Sequence, residues 1–303
     1  MAPDGERVVN SVDASRRDFL RKIIAGAAFA PPLIASFNLD GLSLTDAEAQ
    51  ISNQCQFSNQ SDEIFFFDFS GNEYQDNFRD VRRGNDINPG TEPPNSHPAL
   101  KFTGTVGAAG DTWITVLDEV PGTPAEDALF TDLCLVMSAD IIIHTFNNSK
   151  GVGLLALFNE GRPLPGGAVT GDKGLALVVL DQGNSDRLAL MTVDKAGNRA
   201  VLTSVPLGGG IQENAWYRLN VSIEGTKAAI QVEGSVLRHE TPTDPDSPLA
   251  GPVGAPLTFS GPLPAGVDAI GEVGLVAVAV SAVVNSSVTN FSVKSSGLGI
   301  PKS

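Results

Sequence analysis

Leu175-Ala176-Leu177-Val178-Val179-Leu180, then Asp181-Gln182-Gly183-Asn184-Ser185-Asp186, then Leu188-Ala189-Leu190-Met191-Thr192-Val193 is the stretch that decides the fold. Two short apolar runs, too short for helices, flank a connector of the residue types that turn a chain, so the segment reads as a β-hairpin. Asp194-Lys195-Ala196-Gly197-Asn198 and Glu224-Gly225-Thr226-Lys227 repeat the same turn chemistry further on. Residues 175–232 are therefore expected to form an antiparallel meander of four or five strands. Beyond residue 60, period-2 alternation, β-branched residues and short polar turns predominate, and no segment has convincing helical periodicity.

Further strands are expected at Ile64–Phe69, Trp113–Leu117, Leu129–Met137, Asp140–Phe146, Gly153–Phe158, Ala200–Val205, Trp216–Ile223, Ala228–Val232, Val273–Val280 and Val288–Val293. The fold class that follows is all-β, an antiparallel β-sandwich. Two stretches read as long loops. Gly84–Ala99 carries Pro89, Pro93, Pro94 and Pro98, and Glu240–Gly266 carries seven prolines. Loops of that length inside a compact domain are usually functional or disordered.

Three segments in chain order resemble the concanavalin/laminin-G type of jelly roll, two stacked antiparallel sheets. They are Gly151-Val152-Gly153-Leu154-Leu155-Ala156-Leu157-Phe158 with Gly174–Asp181, then Asn214-Ala215-Trp216-Tyr217-Arg218-Leu219-Asn220-Val221, then Gly271–Leu275 with Val288–Val293. The resemblance covers about residues 62–294 and implies a fold, not a function, because such sandwiches serve as lectins, glycan-binding modules, adhesion domains and glycoside hydrolases. Physical patterning agrees with it: Trp216, Arg218 and Asn220 alternate with Tyr217, Leu219 and Val221, as a strand with one buried face requires.

The N-terminus resembles the twin-arginine (Tat) export signal of bacteria and archaea. Arg16-Arg17 are followed by Asp18, Phe19 and Leu20, an uncharged run from Ile23 to Phe37, and a small-x-small cleavage site at Ala47-Glu48-Ala49. That run has 15 residues and contains Pro31-Pro32, which is shorter than the ~20 needed to span a bilayer. The expected organisation is a cleaved signal at 1–49, a linker at 50–61, the sandwich at 62–294 and a tail at 295–303. The Tat translocase is the implied partner during export, with a periplasmic or extracellular destination and no stable membrane insertion.

Removing the signal takes 5 Lys/Arg and 7 Asp/Glu from totals of 20 and 35, leaving 15 against 28 and a formal charge of −13. Nucleic acid is excluded as a partner on that balance, since phosphate binding needs clustered cations and the single basic cluster is Arg79, Arg82 and Arg83. Cys55 and Cys134 are the two cysteines. In an exported protein they are candidates for one disulfide, closing a loop of about 80 residues worth about 4 kcal/mol on a chain-entropy account. The rival reading makes Cys134 a small buried hydrophobe and leaves Cys55 free.

Several chemistries find no motif. The paired-carboxylate pattern of a glycoside hydrolase strand, Gly-x-Ser-x-Gly, closely spaced zinc histidines, a phosphate loop and Cys-x-x-Cys-His are all missing. Asp118-Glu119 and Glu126-Asp127 read as turn residues around Pro121-Gly122. The candidate ligand-binding residues are Trp113, Asp140, His144 and Glu160. Asp140 and His144 share one strand face with Ile142, and Trp113 opens a strand where its ring is available to a sugar. No cofactor is expected except calcium, for which Asp181, Asn184 and Asp186, and separately Asp244 and Asp246, offer oxygen ligands. These features lead to an exported, non-catalytic sandwich that binds a polysaccharide or other envelope component. The alternatives are a carbohydrate-active enzyme, hydrolase or lyase, using Asp140, His144 and Glu160 in a cleft, and a structural envelope protein.

Overall fold

The computed structural model describes residues 63–105, 111–118, 127–130, 133–144, 150–161, 171–181, 185–279, 283–295 and 298–300. The export signal, with Arg16, Arg17, Phe19, Leu20, Ala47 and Ala49, lies outside them, as does the linker. Among the described residues no helix is long and apolar enough to cross a membrane.

In chain order the strands are β1 (Glu63–Phe67), β2 (Phe78–Arg82), β3 (Ile87–Glu92), β4 (His97–Thr105), β5 (Asp111–Leu117), β6 (Asp127–Phe130), β7 (Leu135–Ile143), β8 (Lys150–Phe158) and β9 (Lys173–Asp181). They continue as β10 (Arg187–Asp194), β11 (Arg199–Pro206), β12 (Trp216–Thr226), β13 (Ala229–His239), β14 (Leu249–Pro252), β15 (Leu257–Gly261), β16 (Glu272–Ala279), β17 (Val283–Ser295) and β18 (Leu298–Ile300). A single turn of helix, α1 (Glu73–Asn77), links β1 to β2. All the strand pairs are antiparallel, so the expected fold class is the observed one: two stacked sheets. The first, sheet A, runs β14-β13-β12-β7-β17-β4-β3, with β1 added against β17 and β15 against β13. The second, sheet B, runs β11-β10-β9-β8-β16-β5-β2, and β18 pairs with β6 in a small third sheet.

Alternation assigns the inner faces. Met137, Ala139, Ile141 and Ile143 of β7 and Tyr217, Leu219, Val221 and Ile223 of β12 point inward from sheet A. They meet Leu154, Leu175, Leu177, Leu188, Leu190 and Leu275 from sheet B in one core. Sheet B is also apolar on its other face, where Ile114, Val116, Leu155, Val178, Met191 and Val276 are buried together. Burial on both faces explains why Leu175–Leu180 reads as a continuous apolar run instead of alternating. Sheet B is curled, for the β10–β11 turn reaches back over this second face. Thr112 of β5 donates to the Gly197 carbonyl at 2.9 Å, although β16, β8 and β9 lie between β5 and β10.

Four expectations are corrected. The meander ends at β11, after which residues 207–215 carry the chain to sheet A, so β12 pairs with β7 and β13. The break expected between Met137 and Asp140 does not occur, because Asp140 finds a cross-strand partner and β7 continues through it. Gly84–Ala99 is not a long loop but holds most of the β3–β4 hairpin, turning at Pro93-Pro94, whose peptide is cis. Its prolines are tolerated because β3 is an edge strand and Pro98 lies beyond the β4 residues that pair with β17. Glu240–Gly266 likewise contributes β14 and β15. Cys134 is buried and disulfide-bonded; Cys55, its expected partner, lies outside the described residues.

Candidate functional site

Sheet A turns its outer face away from the core, and polar side chains gather there. Asp140 points outward from β7 and is fully buried. Cross-strand pairing sets Arg218 of β12 directly beside it, and the guanidinium grips the carboxylate through two hydrogen bonds, 2.5 Å from Nε and 2.7 Å from Nη2. From β13, His239 Nε2 lies 2.8 Å from Asp140 Oδ1 while its Nδ1 lies 3.0 Å from the Ser247 carbonyl. A β-bulge in β17 puts Asn290 in the left-handed region, φ 48°, which aims its amide at Asp140 Oδ2, 2.9 Å away. The same amide donates at 3.2 Å to Asp246, whose carboxylate stands 3.6 Å from His97 Nδ1. Residues 240–248 thus fold over this end of the sheet, where the Trp216 N–H donates to the Pro242 carbonyl.

A second buried carboxylate, Glu92 of β3, accepts from Ser287 Oγ at 2.6 Å, faces His144 Nε2 at 3.0 Å and pairs with Lys101 Nζ at 3.2 Å. His144 Nδ1 lies 2.9 Å from Asn214 Oδ1. Burial pushes the Glu92 pKa up, but the bonds from His144 and Ser287 outweigh it and hold the group at about 2. Burial pushes His144 down, and its bonds to Glu92 and Asn214 reverse that to a net rise. For Glu92, the stabilisation is complete above its ordinary value of 4.5 and is lost as the pH falls towards about 2. For His144 it is complete below 6.5 and is lost as the pH rises through the higher folded value. Urea melts across pH should therefore show both limbs in the wild type, and Glu92→Gln should flatten both. Limbs unchanged by that substitution would assign the pH dependence elsewhere.

A third feature is a line of uncharged residues across five strands. Register places Phe66 of β1 opposite Ser292 of β17, Ser292 opposite Ser138 of β7, Ser138 opposite Asn220 of β12, and Asn220 opposite Ser235 of β13. Paired residues share a face; the neighbours Phe65, Phe67, Met137 and Leu219 point into the core, so the whole row points outward. Ser138 and Ser292 hydroxyls are 2.8 Å apart, and the Asn220 amide donates to Ser235 Oγ at 3.4 Å. Phe66 is 58% exposed at one end of the row. Four strand spacings of roughly 4.8 Å give the row a length of about 19 Å.

The other expected site residues fall elsewhere. Trp113 is fully buried: it points between the sheets, its Nε1 donates to Asp86 at 3.3 Å, and Arg83 lies 5.3 Å over its ring, so it offers no sugar platform. Asp140 and His144 do share a strand face with Ile142, but each is held in its own network. Glu160 follows β8 in sheet B, bound at 2.9 Å by Arg79, which also holds Asp118 and Glu272. The expected cleft of Asp140, His144 and Glu160 is therefore not formed. Asp181 faces Lys150 across the β8–β9 pair, and Asp186 accepts from the Ile211 N–H at 2.7 Å; Asn184 lies outside the described residues. Asp244 accepts from the Asp246 N–H. Among the described residues no group of three or more His, Cys, Asp and Glu is placed to hold a metal ion.

No family model matches the chain, and no curated protein matches it. Solved structures give remote likenesses. The carbohydrate binding module CBM66 from Bacillus subtilis is 12% identical, with 72% of this chain and 96% of that chain covered and a TM-score of 0.39. Lectin II from Ulex europaeus is 9% identical, with 78% and 99% covered and a TM-score of 0.41. A GH43 glycoside hydrolase engineered for endo-xylanase and exo-arabinofuranosidase activity is 13% identical, with 76% and 40% covered and a TM-score of 0.43. No residue takes a role from these likenesses.

Proposed function

We propose that this protein is an exported, non-catalytic sandwich that holds a neutral glycan along the outer face of sheet A. The observation that carries the reading is the row Phe66, Ser292, Ser138, Asn220 and Ser235, in which an exposed aromatic ring continues a line of hydroxyl and amide groups. Sugars present apolar C–H faces and hydroxyl edges, and a ring beside hydrogen-bonding side chains meets both. The row carries no charge, which suits an uncharged polymer, and its backing is stiff because the Asp140 network ties together β7, β12, β13 and β17. Export rests on the Arg16-Arg17 signal, which puts the protein where polysaccharide is found.

Binding is favoured over catalysis by the state of the histidines. A histidine acting as general acid or base needs a ring nitrogen within reach of substrate. Both nitrogens of His144 and His239 are engaged with protein oxygens, and His97 Nε2 is buried.

Affinity electrophoresis and pull-down of the purified mature protein on a panel of neutral polysaccharides tests the reading. At least one polymer is expected to retain it, and Phe66→Ala is expected to weaken binding about tenfold, on the scale of 1–3 kcal/mol for a stacked aromatic. Failure of every polymer to retain the wild type, or equal retention of Phe66→Ala, would remove the row as a glycan site. A parallel arm with chelator tests calcium, which would lower both retention and melting temperature on removal if Asp181, Asn184 and Asp186 hold it.

A further inference from the structure

Two arginines pair with one buried carboxylate, and a third lies against the backbone of the same residue, where β2, β5 and the start of β11 meet. Arg82 Nη2 donates to Asp111 Oδ1 at 2.9 Å, and Arg83 Nε lies 3.1 Å from Asp111 Oδ2. Arg199 reaches only carbonyl oxygens, those of Asp111 at 3.3 Å and Ala279 at 3.4 Å. One further acid, Asp86, stands 3.3 Å from Arg83 Nε and also accepts from Trp113. Among the described residues three cations are thus matched by two carboxylates, in a chain whose formal charge is −15.

We infer that Arg82, Arg83 and Arg199 form a site for an oxyanion, the carboxylate of an acidic sugar or a phosphate group carried by a ligand. Guanidinium forks match the two-oxygen edge of either group, and such charge-assisted bonds are the strong ones. Arg82 and Arg83 keep a third of their side-chain surface exposed, 33% and 34%, while Asp111 is 9% exposed. The Nε atoms of both arginines are buried and make no hydrogen bond among the described residues, and Arg83 Nη2 donates to the Thr105 carbonyl at 2.5 Å. Burial holds the Arg199 pKa below its ordinary value, with Asp111 alone opposing, so an added anion relieves a cation short of counter-charge. In an acidic protein the long-range field repels anions; what binds here does so through local contacts within about one Debye length, ~10 Å at 0.1 M salt.

The test titrates inorganic phosphate and, separately, a galacturonate oligomer into the purified protein at low ionic strength, with calorimetry as the readout. Binding of one or both at a single site is expected, weakened at least about tenfold by Arg83→Gln and by Arg199→Gln and reduced by added salt. Uronate binding without phosphate binding identifies an acidic glycan, and the reverse a phosphoryl ligand. No binding of either, or binding unchanged in the Arg83→Gln variant, overturns the inference. Arg83 is exposed enough for its variant to fold even if Arg199→Gln does not. Phe66→Ala should leave this titration unchanged, so the oxyanion site and the neutral row stand or fall separately.

Discussion

Asp140→Ala is expected to destabilise the sandwich by about 3–5 kcal/mol, the range for removing one partner of a buried ion pair. The carboxylate accepts from Arg218, His239 and Asn290. Its loss strands the Arg218 guanidinium and the His239 ring nitrogen where sheet A is covered by residues 240–248, and leaves the Asn290 amide with Asp246 alone. Desolvation is the reason for the size: the His239 ring, 1% exposed, loses its acceptor without gaining water, and Arg218, 23% exposed, regains water only in part, while an unmatched buried charge costs more than a missing bond. Equilibrium urea unfolding measures the change. Ser138→Ala, on the same strand and face but half-buried and neutral, should stay within about 1 kcal/mol and serves as the comparison. A loss below about 1 kcal/mol for Asp140→Ala would mean that the network is fully hydrated.

Gly153→Ala is expected to cost more than about 3 kcal/mol, at or beyond the usual range for overpacking. A Cβ at residue 153 would stand 1.9 Å from the Leu177 carbonyl oxygen and 2.7 Å from the Val178 Cα. Both are backbone atoms of β9, the strand paired with β8, so no rotamer change relieves the clash and the β8–β9 pair must part. Gly208→Ala, which meets nothing within 4 Å, should be nearly neutral. Thermal unfolding of the two variants side by side checks the contrast, and equal melting temperatures would contradict the β8–β9 register.

The fold was legible where the physics is local. Leu175–Leu180, the Asp181–Asp186 connector and Leu188–Val193 report strand, turn and strand by residue type alone, and β9 and β10 pair in that register. Prolines misled at Gly84–Ala99, because their cost depends on whether a strand lies at a sheet edge, and edges are set by strand order. Strand order is a long-range property, and so is the site. Asp140 and His144 were visible as a same-face pair, but Glu92 meets Ser287 across 195 positions and Asp140 meets His239 across 99. Arg218 showed in the alternation of β12, yet nothing in its own segment says that Asp140 lies opposite. Phe66 was readable in parity only, as the outward member of Phe65-Phe66-Phe67. Its partners Ser292, Ser138, Asn220 and Ser235 are aligned by register, which no window of sequence contains. Trp113 carried the aromatic expectation because it opens a strand, whereas its inward parity sends it to the core.

Amide chemical-shift mapping with an oligosaccharide of whichever neutral polymer retains the protein tests the central claim most directly. Binding along the outer row predicts saturable shifts at Phe66, Ser138, Asn220 and Ser292, spread over four neighbouring strands of sheet A and reduced in Phe66→Ala. Shifts confined to sheet B, around Arg79 and Glu160 or the β10–β11 turn, would contradict it.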